Sequence, residues 1–185
     1  MTDNQERTFT VPHTVEEGAM MVLRDALWFL GDLSEPPTQA QRYEASSKLY
    51  SIVVNMYTGK QVSSYSSMGV VPHKDTLLIE KIITDAARES GEDYVFIQPL
   101  EKSGKCSELQ GVSRLLEESG EPFRPLEYIV YNYKVRFDKE EGEWRMVVEP
   151  VRRCELCRFI EYMLAPTDEF DGGIAFCFDL PIQST

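Results

Sequence analysis

A chain of 185 residues, 42% hydrophobic and 27% charged, suits one compact domain with one appended element and can bury a core. Its 19 Lys and Arg against 31 Asp and Glu leave a net charge of −12, which argues against a generic nucleic-acid coat or a protein held by charge on an anionic membrane. No apolar run approaches the roughly 18 residues of a membrane span, and the polar start Met1–Glu6 does not read as a signal peptide. The expectation is a soluble, cytoplasmic protein with no membrane partner, any export using a route that needs no signal peptide.

Thr14 and Glu17 stand at capping-box spacing, and Val15, Ala19, Val22, Ala26 and Leu30 follow at helical intervals up to Gly31. Glu35-Pro36-Pro37 then punctuates, so residues 1–37 read as an N-terminal helical extension and 38–185 as the main domain. A second helix is expected over about 38–49. The β-branched run Tyr50–Met56, the Thr58-Gly59-Lys60 turn and the weak alternation over 61–67 predict a short hairpin. Asp75 caps an expected helix that stops at Gly91, and Tyr94–Gln98 is a candidate strand. Lys102–Lys105 leads as a loop into a helix starting at Cys106, with the stripe Leu109, Val112, Leu115 and Leu116, which ends at Gly120.

From Ile129 to Phe137 the alternation is clear, with Ile129, Tyr131, Tyr133, Val135 and Phe137 on one face and Asn132, Lys134 and Arg136 on the other. Asp138–Glu143 reads as a charged hairpin loop, Trp144–Val148 as the return strand, 154–164 as a helix and Ile174–Leu180 as a last strand. Helices interleaved with strands give an α/β class, layered, with a mixed β-sheet flanked by helices.

Four cysteines occur, at 106, 154, 157 and 177. Without a secretory signal, a Cys-x-x-Cys pair points to metal or redox chemistry more often than to a disulfide. Cys106-Ser107-Glu108 opens one expected helix and Cys154-Glu155-Leu156-Cys157 opens another. Helix N-termini favour thiolates because exposed amides and the dipole stabilise negative charge there. A hydrolytic zinc takes three protein ligands and leaves the fourth position for water, and a carboxylate next to a ligand can move the proton.

This arrangement resembles the cytidine-deaminase-like superfamily of zinc hydrolases, whose signature pairs a ligand-x-Glu with a later Pro-Cys-x-x-Cys. Within it, the segment Lys105–Leu116 looks most like the YwqJ-like deaminases, which occur often as polymorphic toxin domains. The resemblance covers about 49–180, with the expected hairpin over 52–67 in the place of the family's first two strands. It implies a layered cytidine-deaminase-like fold, Zn2+ bound by Cys106, Cys154 and Cys157, and Glu108 as the proton shuttle. It also implies Asn55 as a substrate contact; Ser107 and Arg153 are further candidates. Pro150 stands four residues before Cys154 instead of next to it, the 134–145 hairpin looks like an insertion, and residues 1–37 have no counterpart in the pattern.

Each feature also has a plainer explanation. Cys154 and Cys157 can be half of a structural zinc site, with Cys177 as the fourth ligand. Cys177 is, however, read as a buried packing cysteine inside the apolar run 174–178. Asn55 can be a turn residue. The cations Lys102, Lys105, Arg152, Arg153 and Arg158 are either ordinary surface charge or a pocket for an anionic substrate. The leading expectation is a zinc-dependent deaminase of a cytosine- or adenine-type base, in a nucleoside, a nucleotide or single-stranded nucleic acid, with an immunity or regulatory protein as a further partner. The alternatives are an acidic binding or inhibitor protein with a structural zinc, and a deaminase fold without activity.

Overall fold

The computed structural model describes residues 15–31, 34–70, 106–120, 122–124, 127–152 and 175–180. The β-branched run after Lys48 forms β1 (Leu49–Asn55), which turns back as β2 (Gln61–Tyr65), with Tyr50 opposite Tyr65 and Val54 opposite Gln61. Asn55 closes the turn: its Oδ1 accepts from the N–H groups of Tyr57 at 2.9 Å and Thr58 at 3.0 Å. Gly59 supplies the left-handed residue, at φ 66°.

After the helix that starts beyond Cys106, β3 (Tyr128–Glu140) pairs with the other edge of β1, β4 (Glu143–Pro150) pairs with β3, and β5 (Phe176–Asp179) pairs with β4. The order is β2-β1-β3-β4-β5. These four pairings are all antiparallel, where the sequence reading expected a mixed sheet. The expected loop over 138–143 shrinks to Glu141-Gly142, both at positive φ as a two-residue hairpin turn requires. Cross-strand charge explains the longer ladder. Arg145 of β4 reaches Glu140 of β3 at 2.6 Å and Asp179 of β5 at 2.7 Å.

The sheet buries apolar side chains on both faces, following the period of 2. On one, Tyr50, Ile52, Val54, Tyr131, Tyr133, Val135, Met146 and Val148 pack against α1 (Val15–Leu30) and α2 (Gln39–Ser46). α1 contributes Ala19, Val22, Ala26 and Leu30, the stripe read from the sequence, so the helix of segment 1–37 is a layer of the same core. It ends where Gly31, at φ 70°, returns its N–H to Leu27. α2 opens with Thr38 and Gln41 in a reciprocal capping box and stops at Ser46, three residues short of the expected end, because Leu49 and Tyr50 already belong to β1. On the opposite face, Val53, Val62, Tyr128 and Val130 meet Leu109, Val112, Leu115 and Leu116 of α3 (Ser107–Ser119). Each such side chain contributes roughly 1.5–3 kcal/mol on burial.

Two glycines allow the helices to approach this closely. A Cβ on Gly18 of α1 would lie 2.1 Å from the Tyr133 hydroxyl, and one on Gly111 of α3 would lie 2.4 Å from Val53. At the far edge, Phe176 and Phe178 turn toward the core while Cys177 is exposed. This corrects the reading of Cys177 as a buried packing residue: strand alternation, not the run of apolar letters, decides which side it takes. The elements expected over 75–91, 94–98 and 154–164 lie outside the described residues. Among the described residues, no helix is long and apolar enough to cross a membrane.

Candidate active site

The first turn of α3 sets buried polar side chains against the sheet. Cys106 is its N-cap, half-buried and in an extended conformation (φ −66°, ψ 134°), and it makes no capping bond through its thiol. Ser107 and Glu108 follow, both fully buried. The acidic residue suits the positive end of the helix dipole. Opposite them the sheet offers Ser51 of β1, Ser64 of β2 and Asn132 of β3, each buried. Ser51 and Asn132 are direct partners in the ladder.

These groups close a ring. Asn132 donates from Nδ2 to Glu108 Oε1 at 3.1 Å, and Ser51 Oγ donates to Asn132 Oδ1 at 2.6 Å. Ser51 Oγ is also 2.6 Å from Ser107 Oγ, which lies 3.2 Å from Glu108 Oε2. Ser64 fastens the same turn by donating to the Ser107 carbonyl at 2.7 Å. Burying this many polar groups is tolerable only when they satisfy one another.

Asn132 Oδ1 carries no hydrogen, so the Ser51 proton points at it. Ser107 donates to Glu108 Oε2, so both carboxyl oxygens accept a hydrogen bond from the ring.

The structure brings Cys106, Ser107 and Glu108 together, as expected from their adjacency, but places them differently from one another. Cys106 is partly accessible at the helix end, whereas the Ser107 hydroxyl is committed to the ring. Asn55 is four residues beyond Ser51 on β1, about 13 Å along the strand, and its amide oxygen is committed to the turn. Cys154, Cys157 and Arg153 lie outside the described residues, as do Lys102, Lys105 and Arg158. The end of β4 is fastened to β3 by the Val151 N–H, which donates to the main-chain carbonyl of Asn132 at 2.9 Å.

Sequence reasoning passed over Ser51, Ser64 and Asn132. The available signal was a serine inside the apolar run of β1 and an asparagine on a strand flanked by tyrosines. Asn132 shares its face with Lys134 and Arg136, and α3 covers only the Asn132 end of that row.

A zinc held by thiolates fits the one expected ligand that is described. A partly accessible cysteine at a helix N-terminus is a favourable place for a thiolate, and Glu108 stands two residues further on. Among the described residues, no three His, Cys, Asp or Glu side chains come together to hold a metal. No family model, curated protein or solved structure matches the chain.

Proposed function

We propose that the protein is a zinc-dependent hydrolytic deaminase with a cytidine-deaminase-like fold, of the YwqJ-like type. Its substrate would be a cytosine- or adenine-type base in a nucleoside, a nucleotide or single-stranded nucleic acid. The observation that supports this best is Glu108: a fully buried carboxyl, two residues past an N-cap cysteine, with Asn132 and Ser107 each donating to one of its oxygens.

In this reading Cys106, Cys154 and Cys157 hold the metal. Bound zinc supplies a Lewis acid that makes water acidic near neutral pH. Glu108 would take one proton from water and deliver it to the departing amino nitrogen, while the second water proton ends on the ring nitrogen of the amidine. The amidine carbon gains oxygen from water, its C–N bond breaks and ammonia leaves. Ser107, first expected to touch substrate, instead supports Glu108 from within the ring. Arg153 remains the candidate contact for an anionic substrate.

An ammonia-release screen of zinc-loaded protein over free nucleosides, nucleotides and short single-stranded oligomers tests the proposal. Release by the wild type and none by Glu108→Gln is the expected result; silence of the wild type across the panel would overturn it. The net charge of −12 favours one other reading, an acidic binding or inhibitor protein with a structural zinc. That reading predicts silence in the same screen together with salt-sensitive capture of a basic protein.

A further inference from the structure

We propose that Asn132 is a positioning residue for Glu108, with Ser51 fixing which way its amide faces; this rests on the reading of Glu108 as the proton carrier. Asn132 and Ser51 sit directly opposite each other on β3 and β1, close enough for their side chains to meet on the α3 face. Neither belongs to the motifs that point to a deaminase.

Asn132 Oδ1 can only accept, so the 2.6 Å contact from Ser51 holds the oxygen toward β1. The Nδ2 group is thereby turned toward α3, where it meets Glu108 Oε1 at 3.1 Å. One carboxyl oxygen is held by a donor whose own direction is fixed, and the other faces the Ser107 hydroxyl at 3.2 Å. A carboxyl tied at a single oxygen still rotates about its Cγ–Cδ bond. Tied through both, it keeps one plane. If Ser51 and Asn132 served only to satisfy each other, their mutual bond would suffice. Instead each has a second contact, and both of those lead through the ring to Glu108.

The substitution Asn132→Asp keeps the acceptor for Ser51 and removes the donor to Glu108, while Ser51→Ala removes the group that orients the amide. Val112→Ala opens a cavity in the core under the same helix without touching the ring, and serves as the control for general loosening. The primary readout is the infrared carboxyl band of Glu108, identified as the band lost in Glu108→Gln. The band is expected to move in Asn132→Asp and in Ser51→Ala and to stay in place in Val112→Ala. For any base the wild type deaminates, Ser51→Ala should lower kcat about tenfold or more with KM within about twofold, since the proton carrier is displaced and the binding surface is kept.

An unmoved band in folded Asn132→Asp and Ser51→Ala would overturn the proposal, as would a change confined to KM. Should the wild type deaminate nothing, the deaminase reading falls. The band then still decides, separately, whether Asn132 holds the Glu108 carboxyl.

Discussion

Asn132 and Glu108 stand 24 residues apart in the chain, one on a central strand and the other in the first turn of a helix, and their side chains meet at 3.1 Å. The contact is fully removed from solvent and is one side of a four-membered ring of hydrogen-bonding groups. Its energetics and its proposed chemistry can be tested apart from each other.

The ring makes opposite predictions for two changes at Glu108. Glutamine keeps an acceptor for Asn132 and presents a donor to Ser107, whose hydroxyl can turn to accept it. Glu108→Gln should therefore melt at or above the wild-type temperature. Alanine leaves the Asn132 amide without its acceptor, and Glu108→Ala should lose about 1–3 kcal/mol, or roughly 2–10 °C in Tm. Equal losses in the two variants by thermal denaturation would contradict the ring.

At Cys106 the roles of helix cap and metal ligand separate cleanly. The thiol makes no capping bond, and serine is among the best N-cap residues. In chelator-treated protein, Cys106→Ser should match or exceed the wild type in stability, by up to about 1 kcal/mol. The same variant should no longer bind zinc. Retained zinc would remove Cys106 from the ligand set.

Gly18 tests the packing of α1 on the sheet. A methyl there would lie 2.1 Å from the Tyr133 hydroxyl and 2.8 Å from its ring carbon. Gly18→Ala should cost about 1–3 kcal/mol through overpacking. Adding Tyr133→Phe removes the worst clash and should return part of that loss, so the two changes should be non-additive in denaturant unfolding. Strict additivity would mean that α1 does not sit against Tyr133.

Asp25 predicts a pH dependence. Burial raises its carboxyl above the usual aspartate range, outweighing the lowering effects of the Ser63 hydrogen bond and the Arg24 and Arg114 charges. A raised folded value means that the acid form is the one favoured by folding. Its contribution is fully present below the unfolded pKa and is lost as pH rises through the folded one. Asp25→Asn should accordingly raise Tm at pH 7, by a few degrees at most, and the gain should shrink as pH falls toward about 4. A gain that grows on acidification would contradict the burial.

Much of this fold was legible in local patterns. The stripe from Ala19 to Leu30, the Thr58-Gly59 turn, the stripe from Leu109 to Leu116 and the strand over 129–137 all form where spacing placed them. The sense of strand pairing was not legible, because it depends on which strands become neighbours and not on any one segment. The hairpin between β3 and β4 was read as longer because its charged residues look like a loop, whereas Arg145 ties them across the strands. At the site, the motif gave Cys106 and Glu108 by adjacency. It could not give Ser51 or Asn132, whose relation to Glu108 exists only once α3 lies on the sheet. Asn55 shows the converse: a polar residue at a strand end that the turn itself employs.

Elemental analysis of the purified, folded protein tests the proposed metal chemistry at its root. One zinc per chain is expected in the wild type, and none in Cys154→Ala, since three thiolates form the proposed set and the loss of one leaves too few. A folded wild type that carries no zinc and takes none up on dialysis against it would contradict the deaminase reading.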